Sequence, residues 1–372
     1  MNRTDVAPSG LLAALSEAGL TGRGGAAFAT ARKVEAAHRH GAQLIVNACD
    51  GEIGAAKDGW VIEHHLVELV AGAQLVAPDA RRIRYAAKRD SATAQRLRAA
   101  GLPVLEVPDR YVSSEETALI SLAHNGLARP LTKGEPFVQG GRDSHGRRIE
   151  PSVVLNAETV WRVAQIADRG PRWFRAHGTP AEPGPRLVAI SGAVPRPGVL
   201  ETEAGMPLRT LLAAAGGLAD GAEVIGVSGL SGVLLPRAAA TGMRWDSGDL
   251  GRFGGSIGPG ILHVWDPARC PVEHVDDLLQ YAAGQSAGQC GPCMFGLPAI
   301  AADWHALSTA QDSRAADARL ERRIDLLPGR GACRFPDGIA RFAASARSLL
   351  ADHLADHAAG RCPHRDRSNH AA

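Results

Sequence analysis

Lysine is scarce in this chain. Only four lysines (Lys33, Lys57, Lys88, Lys133) stand among 41 basic residues, so positive charge is almost all arginine and each lysine present invites a question. An excess of either charge is also missing. With 39 acidic residues the net charge is +2, which removes the basic surplus expected of a nucleic-acid or membrane-surface binder. No apolar run reaches the roughly 18 residues needed to span a bilayer. The longest candidate, Leu66–Ala77, is interrupted by Glu68 and Gln74. Residues 1–10 lack the charged-then-apolar pattern of a secretory signal, so the expectation is a cytoplasmic protein, at most peripheral to a membrane complex. Cysteines number six (49, 270, 290, 293, 333, 362) and are not spaced as a secreted disulfide framework.

What is present is an ordinary globular balance, 45% hydrophobic and 22% charged over 372 residues, with enough chain for two or three domains. Helix and strand signals alternate in the first part. Gln43–Ala48 reads as a buried strand, Val61–Ala77 as one long helix, Pro103–Val107 as a strand, and Asn156–Asp168 as a helix. That pattern predicts an α/β domain with a mostly parallel sheet. Leu131–Pro151 reads as a long loop, and Pro180–Pro185 as a linker. A small α+β module follows, and from Pro271 the pattern is helical, ending in Ile339–Ala359.

Three loops carry chemistry-bearing residues. Gly22-Arg23-Gly24-Gly25 precedes a helix, where a backbone without side chains can approach a phosphate or a flat ring. Lys33 could add charge to that site, although glycine turns before helices are common without any ligand. Asn47 to Gly54 follows a hydrophobic strand and offers an amide and two carboxylates, suited to ribose hydroxyls or ring nitrogens, or simply to a polar turn. Glu115-Glu116-Thr117 sets two carboxylates at a helix start, where the helix dipole alone favours acids.

Taken together these loops resemble those of the NADH- and FMN-binding flavoprotein subunit of respiratory complex I and its hydrogenase and formate dehydrogenase relatives. That family carries GRGGAGFP with a following lysine, NADEGEPG-x-x-KDR, GEETAL, a Lys-Pro-Pro-Phe loop and NVET. This chain has GRGGAAFA with Lys33, NACDGEIGAAKDG from Asn47, SEETAL from Ser114, Lys133 near Phe137, and NAET from Asn156, in the same order. Arg186–Gly217 resembles the β-grasp module of the family, and Gly288–Cys293 its cluster motif.

The resemblance implies an α/β flavin/dinucleotide-binding domain (1–179), a small α+β β-grasp domain (186–268), a C-terminal helical bundle of iron–sulfur-binding type (271–360) and a flexible tail (361–372). It implies FMN held by Gly22, Arg23, Gly24, Gly25, Lys33, Asn47, Asp50, Asn156 and Thr159. NADH would meet Phe28, Glu52, Glu115, Glu116, Lys133 and Phe137. No general acid or base is implied, because hydride passes from nicotinamide to flavin by close approach. An iron–sulfur or ferredoxin-like protein would accept the electrons.

Departures leave alternatives open. Ala27 stands for the second glycine of GAGF, Cys49-Asp50 for Asp-Glu, Ser114 for glycine, and Ala36 for an aromatic. Ala287 stands for the first cluster cysteine, leaving Cys290, Cys293 and Cys333. Three thiolates could hold a three-iron cluster, hold a four-iron cluster with another ligand, or be relics. A degenerate assembly subunit that has lost the cluster, or a β-grasp small-ligand binder, are the competing functions. Cys49 reads as a redox-sensitive thiol or a plain replacement for aspartate, Cys270 as a poor cluster ligand, and His353, His357, Cys362 and His364 as a solvated tail.

Overall fold

The computed structural model describes residues 8–132, 134–143, 145–362 and 364. Two compact units are present: residues 1–189 with 199–206 and 258–260, and residues 190–198 with 207–257 and 261–372.

In the first unit, α1 (Pro8–Ala18) and α2 (Thr30–His40) flank the glycine loop and lead into β1 (Gln43–Asn47). Then come α3 (Lys57–His64), α4 (Leu66–Val76), β2 (Ile83–Lys88), α5 (Ala92–Ala99), β3 (Val104–Val107) and α6 (Glu116–Asn125). A two-residue pair, β4 (Gly141–Arg142) with β5 (Arg148–Ile149), interrupts the long loop before β6 (Ser152–Asn156) and α7 (Ala157–Arg175). The sheet has order β3-β2-β1-β6 and all its pairings are parallel. Both faces are covered, as parallel sheets require. The period-2 alternation divides the strands between two cores. Leu44, Val46, Val153 and Leu155 pack with α1, α4 and α7 residues such as Leu15, Leu69 and Trp161. Ile45 and Val154 face the other way, onto Leu119, Ile120 and Phe137.

The long helix expected over Val61–Ala77 is two helices. His65 leaves helical geometry (φ −134°, ψ 28°), its ring stacks on Trp161 at 4.2 Å, and its Nδ1 lies 3.0 Å from Glu68 Oε2. A tertiary contact thus breaks a run whose local pattern is continuous. In the same way α7 outlasts the expected Asp168, kinking at Gly170 (φ 82°) before Pro171.

β7 (Pro185–Gly192) and β8 (Gly198–Glu203) are divided between the units. The second unit continues with β9 (Met206–Pro207), α8 (Leu208–Ala214), β10 (Val224–Val227), β11 (Val233–Pro236), α9 (Arg237–Gly242), β12 (Arg244–Trp245), α10 (Ser247–Gly251) and β13 (Ile261–Val264). β10 pairs antiparallel with both β11 and β13. Helices follow: α11 (Pro271–Gln285), a π-helical turn at Pro292–Gly296, α12 (Leu297–Ser308), α13 (Ser313–Leu326), α14 (Phe335–Leu349) and α15 (Ala351–Ala358). His357 and Cys362, expected in a solvated tail, are buried, at 0% and 3% exposure. Most of the expected flexible tail lies outside the described residues.

Candidate flavin and dinucleotide site

The order β3-β2-β1-β6 reverses at β1: the chain builds outward through β2 and β3, then returns to the other side of β1 as β6. Crevices beyond strand C-termini at such a reversal are where open α/β sheets take ligands. The residues closing β1 and β6 are Asn47 and Asn156, and they are register partners. Each side-chain amide is half engaged. Asn47 donates from Nδ2 to Ser114 O (3.0 Å) and accepts the Cys49 N–H at Oδ1 (3.1 Å). Asn156 donates to Asp58 Oδ2 (2.6 Å) and accepts from Lys57 Nζ (2.5 Å). An amide has two N–H groups, so each keeps one to offer a ligand.

The glycine loop is a closed turn. Thr21 bridges to Ala29, Gly22 N–H donates to Phe28 O (2.9 Å), and Gly24 to Ala29 are exposed. Gly25 (φ 110°) needs glycine for its conformation. Gly22 and Gly24 do not. Neither has positive φ, and a Cβ on either would meet no protein atom nearer than 3.7 Å. Glycine there has no reason in the protein's own packing. A flat ring laid against the backbone supplies one, so these residues fit a flavin. Ala27 has φ 48°, the left-handed region that glycine occupies without strain, which explains why a glycine suits this position. Following the loop, α2 starts without a side-chain cap, leaving its N-terminal dipole for an anion.

Several residues expected to touch cofactor have side chains engaged by the protein itself. The Arg23 guanidinium turns inward, 2% exposed, donating to the carbonyls of Pro183 (3.0 Å) and Pro185 (3.2 Å), with its carbon 5.7 Å from the Phe174 ring centre. Thr159 is fully buried, and its hydroxyl accepts the Arg23 backbone N–H (2.9 Å), tying the loop to α7. Asp50 has φ 44° and accepts the N–H groups of Asp58 (3.1 Å) and Gly59 (2.7 Å); burial, then the charge of Asp58, push its carboxyl up to about 7. Glu115 caps α6 through Thr117 N–H (2.7 Å) and Ala118 N–H (3.0 Å). Phe137 lies in the core at 8% exposure. Motif position alone does not show that these side chains also hold the loops to one another.

Lys57, to which the sequence assigns no role, is the hub of a buried cluster. Its ammonium is 2% exposed and meets Asp58 (3.1 Å), Glu158 (3.2 Å) and Asn156. Asp58 in turn accepts the Glu158 N–H (3.1 Å) at the start of α7. This carboxylate occupies the N-terminus of α7, beside Asn156. Cys49 is buried and its thiol is pushed far up by burial, so it packs and offers no reactive thiolate.

At the mouth, Lys33 Nζ donates to Glu116 Oε1 (2.8 Å), both half-buried, and to Val154 O (3.3 Å). Glu52 accepts the Tyr111 hydroxyl and the Ile53 N–H. Phe28 is 46% exposed with the Arg32 guanidinium over its ring at 5.6 Å. Lys133 lies outside the described residues.

Family comparisons match along the chain in the order just described. The Nuo51 FMN-binding domain matches residues 15–165, the SLBB domain 187–229, and the NADH-ubiquinone oxidoreductase-F iron-sulfur binding region 273–357. In all three matches the chain is similar to the NADH- and FMN-binding flavoprotein subunits. It is 28% identical to an NADH-quinone oxidoreductase subunit of Rhizobium meliloti (strain 1021), over 96% of this chain and 90% of that protein. It is also 28% identical to the corresponding NADH-quinone oxidoreductase subunit of Streptomyces coelicolor (strain ATCC BAA-471 / A3(2) / M145), over 96% and 85%. A solved NAD+-reducing NiFe hydrogenase in the H2-reduced state superposes with TM-score 0.80 at 29% identity, covering 96% of this chain. This chain spans 64% of the length of that hydrogenase chain.

Three of the six cysteines of this flavoprotein homologue, Cys290, Cys293 and Cys333, fall inside the iron–sulfur match. Cys290 and Cys333 are half-buried and Cys293 is buried within the π-helical turn. Burial, then hydrogen bonding and charge from Cys290 and charge from Cys333, push the Cys293 thiol up to about 12, while the Ala287 backbone N–H opposes this by donating to the sulfur. Cys290, Cys333 and the Ala287 backbone thus lie near enough to Cys293 to act on its thiol. Among these donors three of the four thiolates of a cube are present. No helix among the described residues is long and apolar enough to cross a membrane.

Proposed function

We propose that this flavoprotein homologue takes hydride from NADH onto FMN at the β1/β6 crevice and passes the electrons to a partner iron–sulfur protein. The observation that carries this reading is the pairing of Asn47 with Asn156 at the sheet reversal, beside a glycine loop whose Gly22 and Gly24 no protein contact explains. FMN supplies an acceptor that takes a hydride pair and releases single electrons. The chain's own residues do the rest. Gly22, Gly24 and Gly25 let a ring lie on the backbone, and the spare N–H of Asn47 and Asn156 fix its edge. Arg23, Asp50, Thr159 and the Lys57–Asp58–Glu158 cluster hold those groups in place from behind. Phe28, Glu52 and the Lys33–Glu116 pair orient the dinucleotide at the mouth, with Lys133 on the same motif.

The division into a flavin domain (1–179), a β-grasp domain (186–268) and an iron–sulfur bundle (271–360) belongs to the same reading. So does work in the cytoplasm as a peripheral piece of a larger assembly. A degenerate assembly subunit is not favoured, because the FMN-binding and the iron–sulfur-binding families both match. Gly24→Val tests the loop. Flavin extracted from the purified variant should fall below about a tenth of wild type, because Val fills the ring's space. The melting of the flavin-free protein should move little. Equal flavin in both proteins would end the assignment.

A further inference from the structure

Cys270, His353, His357 and Cys362 each direct one ligand atom to a common point, and all four atoms lie within 4.8 Å of one another. From these four residues we propose a second metal site in this chain: a closed, structural Cys2His2 zinc site that fastens α15 to the start of α11.

The distances are those of a tetrahedral shell. With Zn–S about 2.3 Å and Zn–N about 2.0–2.1 Å, tetrahedral angles put two sulfurs about 3.8 Å apart and a sulfur and a nitrogen about 3.6 Å apart. The two Sγ atoms are 3.8 Å apart. His353 Nε2 lies 3.6 Å from Cys270 Sγ and 3.6 Å from Cys362 Sγ. His357 Nε2 is nearer to Cys270, at 3.0 Å.

Local structure aims each donor. His353 and His357 are four apart on α15 and share a face. Gly360 (φ 70°) ends that helix in the left-handed conformation, donating to His357 O (3.0 Å), and turns the chain back so that Cys362 joins the histidines. Cys270 is the residue just before α11. The His357 ring is also set in its ligating form. Its Nδ1 sits 3.0 Å from the carbonyl of Ser308, which can only accept, so Nδ1 holds the proton and Nε2 presents its lone pair. Zinc ligands are oriented by just this kind of outer partner.

Burial supports a structural ion rather than a catalytic one. Cys270, His357 and Cys362 are buried, and four protein donors leave no open position for water. Zinc suits two thiolates with two imidazoles, whereas iron–sulfur clusters take thiolates almost exclusively. The site shares no residue with Cys290, Cys293 and Cys333. Two of its ligands, Cys270 and Cys362, fall outside residues 273–357, where the iron–sulfur family matches.

The test uses the full chain. Metal content by plasma mass spectrometry should show about one zinc per chain after loading with Zn2+ and gel filtration, in wild type and in the triple variant Cys290→Ser/Cys293→Ser/Cys333→Ser alike. Cys362→Ser should lose zinc at least about tenfold under the same conditions. Should that variant not fold, Co2+ added to zinc-depleted wild type decides: tetrahedral ligand-field bands together with thiolate charge transfer are expected. The proposal is overturned by any of four results. These are zinc below roughly a tenth of an equivalent in loaded wild type, zinc retained by Cys362→Ser, iron in place of zinc in the triple variant, or a Cys270–Cys362 disulfide in the purified chain.

Discussion

Lys57→Met would strip the only ammonium from a cluster of buried acids. Lys57 and its partners Asp58 and Glu158 are each at most 5% exposed at the side chain, so solvent screens none of these charges. Without it Asp58 keeps the Asn156 amide and the Glu158 N–H, while Glu158 keeps the Leu187 N–H (2.8 Å) and Arg162 at 3.9 Å. Neither set replaces a cation in direct contact. Removing one partner from a buried ion pair costs about 3–5 kcal/mol. In a unit of this size that lowers the melting temperature by about 6–20 °C. The sign of the pH dependence follows from the carboxyls. Burial already holds the Asp58 pKa above its ordinary value, and losing Lys57 raises it further. A folded pKa above the unfolded one means a penalty in full above the folded pKa, fading as pH falls towards the unfolded value near about 4. The deficit of Lys57→Met relative to wild type should therefore be larger at pH 8 than at pH 5, by circular dichroism melts at both. The double variant Lys57→Met/Asp58→Asn should recover part of it. A deficit below about 1 kcal/mol, or one equal at the two pH values, would refute the buried-cluster account.

Two further outcomes follow from the loops. Ala27→Gly relieves a left-handed alanine, and should stabilise the protein by about 0.5–1 kcal/mol after the entropy cost of glycine, read as a small rise in melting temperature; a fall would show that the methyl packs. Glu116→Gln removes the Lys33 ion pair at the mouth and should raise the KM for NADH with flavin content unchanged, in steady-state assays. An unaltered KM takes Glu116 out of the dinucleotide site.

Much of the flavin side is legible in the sequence because its signals are local. A hydrophobic run ending in Asn47 marks both a buried strand and the edge where a ligand sits, and glycines before a helix mark a backbone approach. The depth of each residue is not legible. Arg23 and Thr159 stand inside the motifs, yet the Thr159 hydroxyl holds the Arg23 backbone N–H and the Arg23 side chain reaches the Pro183 and Pro185 carbonyls. A helix break set by a distant partner is equally hidden, as at His65 against Trp161, and so is the local departure at Leu350 (φ −99°, ψ 17°), which splits the helix expected over Ile339–Ala359. The Cys270 cluster is invisible for the same reason. Its first thiol is 83 residues from the nearer histidine, and a histidine pair on a terminal helix looks solvated until Gly360 turns Cys362 onto it.

Anaerobic addition of one equivalent of NADH to the purified protein, followed by its visible spectrum, shows whether dinucleotide and flavin meet in one crevice. A yellow flavin band that NADH bleaches is expected, with return of the band when an electron acceptor is admitted. Bound flavin that NADH leaves oxidised, while a chemical reductant bleaches it, would contradict the claim that this crevice joins dinucleotide to flavin.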